Sequence, residues 1–289
     1  MITAEIKAAL RVAQRNELTE YYVYSKLSAI ERDRKHADIL QTIANEEKAH
    51  AAFWETKTGE AVVPSRLKVF FYIACARVLG ITFAVKLMEN GEKLAQVNYE
   101  KIAQVLPEAK RIEKEEQAHE EELIGMIDEV RLKYVGSMIL GLNDALVELT
   151  GALAGFTLAL QNTRLIAVTG LITGIAASLS MAASEYLSTK AEGEGKDPLK
   201  AALYTGIMYV ITVVLLILPF FTLANVYLAL AATLIVVIII ITFFTFYISV
   251  AQEVPFKKRF LEMAGVSLGV AVITFGIGFL VREFLGVEV

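Results

Sequence analysis

The sequence predicts an all-α protein in two parts, a charged four-helix bundle followed by a five-span helical membrane domain. Three observations predict it. Charge is unevenly spread: residues 1–133 hold 20 of the 28 Lys and Arg and 22 of the 32 Asp and Glu, leaving 8 and 10 for residues 134–289. In the front part apolar residues recur at the 3.6-residue helical period, with no alternating strand pattern. In the back part five apolar stretches are each long enough to cross a hydrocarbon core about 30 Å thick. The domains are therefore expected at 1–133 and 134–289.

In the front part, helix 1 is expected over about 3–30 and helix 2 over about 34–57, ended by the loop from Gly59 to Pro64. The next stretch, VFFYIACARVLG from Val69, is apolar enough to suggest a span. It carries Arg77 inside and Lys68 and Lys86 at its flanks, so its uninterrupted apolar run is too short. It reads instead as a buried crossover into helix 3, about 80–105. Helix 4 is expected over about 107–133, with Pro107 in its first turn, where a missing N–H costs nothing. The single cysteine, Cys75, excludes an internal disulfide and a cysteine-based metal site and reads as a core thiol. The net charge of −4 and the absence of a basic stripe exclude a nucleic-acid partner. The N-terminal segment is charged and amphipathic and does not read as a signal peptide, which places the front domain in the cytosol.

The five spans are expected at about 137–160, 165–187, 202–222, 226–250 and 264–282. Flanking cations sort by side. Arg131, Lys133, Lys190, Lys196, Lys200, Lys257, Lys258 and Arg259 lie on one side, and only Arg164 and Arg282 on the other. Cytosolic loops carry the excess of Lys and Arg. The expectation is an integral membrane protein (of the cell membrane, in a prokaryote), with the N-terminus in the cytosol and the C-terminus outside.

Two of the three histidines sit in E-x-x-H pairs: Glu47 and His50 in NEEKAH on helix 2, Glu116 and His119 in KEEQAH on helix 4. Residues three apart share a helix face, so both donors of a pair point into one core. Helix 1 offers Glu17, with Glu20 one turn later, and helix 3 offers Glu89 and Glu92 in LMENGE. One glutamate from each of two helices plus E-x-x-H from each of the other two is the ligand supply of a dinuclear carboxylate site in a bundle. A single E-x-x-H in a Glu-rich helix is usually a solvated ion pair. Glu46, Glu115 and Glu120 to Glu122 are read that way, and Asp33 with His36 is read as a helix-start pair. Tyr24 lies on the Glu17 face, either to hydrogen-bond a ligand carboxylate or to fill the core.

On these motifs the front half resembles the ferritin-like superfamily, and within it the rubrerythrin or erythrin type. The segment ELTEYYVY is similar to the signature around the helix 1 glutamate, which corresponds to Glu17. The paired Glu89 and Glu92 resemble the rubrerythrin pattern. The resemblance implies a dinuclear iron site, and the donors also suit manganese or zinc. No CxxC pair follows, so the electron-transfer module of full rubrerythrins is absent from this sequence.

Span 1, GSMILGLNDALVELTGALAGF, carries Asn143, Asp144 and Glu148. A charge near mid-membrane costs roughly 2.5–3.5 kcal/mol or more, so such residues usually mark an ion or proton path. Asp144 and Glu148 are four apart and stack on one face. Span 2, GLITGIAASLSMAASEYLS, places Ser178, Met181 and Glu185 at helical spacing. Thioether and carboxylate together suit a first-row divalent metal. The pairs Gly151/Gly155 and Gly170/Gly174 read as close-packing sites. The N-D-A-L and S-M-A-A-S-E-Y segments, with Leu218–Phe220, resemble the vacuolar iron transporter family. That resemblance implies export of ferrous iron, sometimes manganese, from the cytosol in exchange for protons. It also implies a homodimer with the path between subunits, and Asp144, Met181 and Glu185 as path residues, with Glu148 less well supported. Some relatives carry a Glu-rich insert between spans 2 and 3. Here the connection is only STKAEGEGKDPLK, and the ferritin-like domain reads as its replacement, as in membrane-bound ferritin proteins.

The expected function is thus ferrous-iron export by exchange with protons, the front domain collecting, oxidising or sensing iron. The alternatives are a membrane-anchored diiron oxidase or peroxidase, and a manganese exporter.

Overall fold

A computed structural model describes residues 4–95, 106–125, 129–193, 195–251 and 254–285. All regular structure among them is helical, and the chain divides into two compact units, Met1–Asp128 and Glu129–Val289.

The first unit holds α1 (Ala4–Ile30), α2 (Arg34–Thr58), α3 (Arg66–Leu79), α4 (Ile81–Ala95) and α5 (Ala109–Gly125). Asp33 caps α2, its carboxylate accepting from the Lys35 and His36 N–H groups, so the Asp33–His36 spacing belongs to a helix start. Gly59 ends α2 in the left-handed conformation at φ 69°, donating to the Glu55 carbonyl, a position that favours glycine. The loop that follows is pinned to α1. Glu60 pairs with Lys7 and Arg11, its carbonyl accepts from Gln14 Nε2 at 3.0 Å, and the Ser65 N–H donates to Thr19 Oγ1 at 3.0 Å.

Two apolar clusters divide the bundle along its length. Leu10, Trp54 and Ile112 form one; Tyr24, Leu27, Leu40, Ile43 and Leu123 belong to the other. Fully burying each such side chain contributes about 1.5–3 kcal/mol, so the interval between the clusters is clamped from both sides. The apolar stretch after Ser65 is a 14-residue helix, too short to span, and corrects the expectation of a buried crossover. Of its large apolar residues only Val69 is buried, while Leu67, Phe70, Phe71 and Val78 are exposed. Cys75 is partly buried. Helix 3 of the sequence reading corresponds to α4, and its expected continuation over 96–105 lies outside the described residues.

The second unit is α6 (Glu129–Leu160), α7 (Thr163–Glu192), α8 (Pro198–Thr222), α9 (Val226–Ala251) and α10 (Phe256–Leu285), all long and apolar enough to cross a membrane. Many large apolar side chains point outward, among them Ile172, Leu179, Ile207, Ile235 and Val272, as helices facing lipid require. Small residues set the spacing inside. A Cβ on Gly141 would lie 2.2 Å from the Thr205 carbonyl oxygen, and one on Gly278 2.3 Å from the Gly155 carbonyl oxygen. Thus α6 touches α8 and α10 backbone to backbone. Thr274 Oγ1 donates to the Gly151 carbonyl at 2.6 Å, and Thr205 Oγ1 to the Ser137 carbonyl at 2.9 Å. Gly141→Ala is expected to destabilise the membrane domain by about 1–3 kcal/mol, the usual cost of overpacking, read as a lower Tm in detergent. An unchanged Tm would show that α6 and α8 separate freely.

Candidate metal sites

Between the two clusters of the front bundle, α1 contributes Glu17, α2 contributes Glu47 and His50, and α5 contributes Glu116 and His119. Glu17, Glu47, His50 and His119 are each under 5 % exposed. One ligand atom from each of Glu17, Glu47, His50 and Glu116 lies within 4.8 Å of the others. His50 Nδ1 stands 3.0 Å from Glu116 Oε1, 3.5 Å from Glu17 Oε2 and 3.8 Å from Glu47 Oε2. His119 Nδ1 stands 3.2 Å from Glu47 Oε1 and 3.9 Å from Glu116 Oε2. Glu47 and Glu116 therefore each reach both imidazoles.

So many acids in one buried place are unfavourable without cations. Burial and then the Glu116 and Glu17 charges hold the Glu47 carboxyl well above its usual range, and the Glu20 charge adds to this. Burial raises Glu116 as well, against the opposing pull of His50. Burial disfavours the charged form of His50, but hydrogen bonds and charges from Glu116 and Glu17 outweigh it and raise His50 to about 10. Without a cation, these buried carboxyls therefore favour their neutral, protonated form. Glu47 Oε2, fully buried, makes no hydrogen bond, and such an orphaned acceptor is costly. A bound cation would satisfy it and replace the protons, so the donor set fits a metal ion.

Supporting contacts add to what spacing alone showed. Trp54 Nε1 donates to Glu17 Oε1 at 3.1 Å. Glu46 and Glu115, read above as merely solvated, each reach the far nitrogen of a site histidine, Glu46 at His119 Nε2 and Glu115 Oε2 2.9 Å from His50 Nε2. A carboxylate on the outer nitrogen orients the ring and fixes its tautomer. Each directly precedes the glutamate of an E-x-x-H pair, but nothing in the local sequence shows that it meets a histidine of another helix. Tyr24 is wholly buried in the apolar cluster. Glu20 is half-buried and lines a cavity of about 60 Å³ with Asn16, Thr19, Lys68 and Tyr72. Glu89 and Glu92 fall on α4, and their side chains lie outside the described residues. Trp54→Phe keeps the apolar bulk and removes only the donor to Glu17. It is expected to weaken metal binding about tenfold with the helical fold intact, measured by titration against a competing chelator. An unchanged affinity would show that Glu17 needs no anchor.

In the membrane domain the acidic residues lie along one face of α6. Ser137, Asp144 and Glu148 fall within about 40° on the helix and are spaced by about 10 Å and 6 Å along it. Ser137 Oγ donates to Glu185 Oε1 of α7 at 2.5 Å, and Tyr209 of α8, wholly buried, donates to Glu148 Oε2 at 2.8 Å. Asp144 is half-buried in a groove lined by Gly136, Leu140, Asn143 and Val147, Glu148 is exposed, and Met181 packs partly buried against the core. Among the described residues Asp144, Glu148 and Glu185 do not converge into one ligand group within a chain. Ser137 and Tyr209, which connect the carboxylates to neighbouring helices, carried no signal in the sequence.

Residues 135–196, covering spans 1 and 2 and the connection after them, match the model of the VIT family. Comparison with curated proteins yields no match. The family match and the five apolar helices together indicate an integral membrane protein of the metal-ion transporter class.

Proposed function

We propose that the protein exports ferrous iron from the cytosol in exchange for protons, as a homodimer, with a dinuclear metal site in its front domain. The observation that carries the reading is the pair Asp144 and Glu148 on one face of α6, with Glu185 of α7 held to the same face by Ser137, all three on the segment that matches the VIT family. An inert anchor has no reason to bear the cost of acidic groups inside spans. This counts against the reading as a tethered diiron oxidase or peroxidase.

In the front domain Glu17, Glu47, His50 and Glu116 would hold one ion. Glu47, Glu116 and His119 would help hold a second, with Glu89, Glu92 and Glu20 as the remaining donors. Bound iron would supply redox chemistry there; the chain itself orients the ligands and keeps them dry. Iron is the proposed metal, although manganese and zinc meet the same donors. Along the path Asp144, Met181 and Glu185 contact the transported ion, with Glu148 beside them. Carboxylates that release a proton when the cation arrives and regain it when the cation leaves couple the two fluxes. The eight-to-two bias of flanking cations supports a front domain in the cytosol and a C-terminus outside.

Purified protein in proteoliposomes tests the reading. Under a proton gradient ferrous iron moves, and a cysteine label in the loop 221–225 reacts from the side opposite the front domain. Vesicles that move no ferrous iron or manganese under any proton gradient would overturn the transporter reading.

A further inference from the structure

A second polar recess lies between α6 and α10, beside the groove that holds Asp144. It is a cavity of about 190 Å³ lined by Asn143 and Val147 of α6 and by Arg259, Glu262, Met263, Val266 and Ser267 of α10. The α10 residues recur at three- and four-residue spacing and so form one stripe of that helix. Asn143 and Val147 also line the groove that holds Asp144, so these two side chains belong to both recesses.

The donors are unusual for a lipid-embedded bundle. Asn143 Oδ1 is buried and makes no hydrogen bond. Ser267 is only 2 % exposed and lines the same cavity. Buried polar atoms are normally satisfied, and each exception needs an explanation. Beside them stand the Met263 thioether, which accepts from Thr245 Oγ1 at 3.5 Å, and the Glu262 carboxylate, paired with Arg259 Nη1 at 3.4 Å. Lys257 and Lys258 are exposed one turn or so before them.

We propose that Asn143, Glu262, Met263 and Ser267 form a binding station for a first-row divalent cation between spans 1 and 5, from which the ion passes to Asp144. An amide oxygen, a carboxylate, a hydroxyl and a thioether make a mixed donor set. Magnesium and calcium take oxygen alone, whereas ferrous iron accepts sulfur as well. The Arg259 guanidinium balances Glu262 while no metal is there. Because that pair is exposed, it contributes little, so an arriving dication displaces Arg259 readily. The role as a waypoint rests on the transporter reading, but the binding site does not.

Two measurements on the full chain separate these. In proteoliposomes, Glu262→Gln with Met263→Leu raises the half-saturating ferrous iron concentration about tenfold. Arg259→Gln, which frees the carboxylate, lowers it. In a Glu47→Ala/His50→Ala background, which removes the front-domain site, anaerobic equilibrium dialysis against ferrous iron shows about one ion fewer per chain when the Glu262→Gln/Met263→Leu pair is added. Unchanged half-saturation together with unchanged stoichiometry overturns the station and leaves the transporter reading standing. Wild-type protein that moves no metal, yet loses the bound ion on the double substitution, overturns the transporter reading and leaves the station as a binding site.

Discussion

Asp144→Asn is expected to lower ferrous-iron movement in proteoliposomes to about one-hundredth of wild type or less. The substitution keeps the size and hydrogen-bonding capacity of the side chain and removes its charge and its titrating proton. Leaving a poorly solvated cation without its counter-charge costs about 3 kcal/mol or more, and each 1.36 kcal/mol is tenfold in rate. Metal bound by the isolated constellation of Glu17, Glu47, His50, Glu116 and His119 is expected to stay at the wild-type amount, because all five belong to the other compact unit. Transport and metal content measured on the same preparation decide the matter. Wild-type transport by Asp144→Asn would remove Asp144 from the path. Loss of both transport and metal content would mean that the variant does not fold.

The double substitution Glu47→Ala/His50→Ala is expected to empty the front-domain site, removing about two ions per chain. A loss of only one ion would be the naive expectation for one E-x-x-H pair. The geometry argues for more, because the Glu47 carboxylate extends towards His119 at 3.2 Å as well as towards His50 at 3.8 Å. By contrast Glu46→Ala/Glu115→Ala removes the carboxylates on the outer imidazole nitrogens and leaves every inner donor in place. It is expected to weaken binding about tenfold without changing the stoichiometry at saturating metal. Metal analysis after dialysis reads both. Full metal content in the Glu47→Ala/His50→Ala protein would end the assignment of this cluster as a metal site.

The two kinds of substitution differ in how far each was legible beforehand. Glu47 with His50, and Glu116 with His119, could be paired from spacing because i and i+3 share a helix face whatever the helix packs against. Glu17 followed from its place on the intervening helix, and the structure brings it to 3.5 Å from His50. Glu46 and Glu115 were misread for an equally physical reason. A surface glutamate beside a ligand has the same local sequence whether it faces water or reaches across to another helix's histidine. His119 and Glu46 are 73 residues apart, and nothing local encodes that meeting. The α3 segment was misread in another way: its hydrophobicity suggested burial, yet its outer face carries Leu67, Phe70, Phe71 and Val78 in the open.

By itself the sequence determined what depends on short range. The charge split separates the two parts, the lengths of the apolar runs set five spans, and helical spacing joins each glutamate to its histidine and stacks Asp144 on Glu148. These follow from a fixed rise and a fixed number of residues per turn. Only the tertiary structure decided which helices meet and at what distance. Gly141 and Gly155 let α6 approach α8 and α10 to backbone contact. That approach brings Tyr209 to Glu148 and lines one recess with both Asn143 and Met263. Such meetings depend on the volume of side chains along two whole helices, and on small residues that allow close approach. No window of sequence contains both partners.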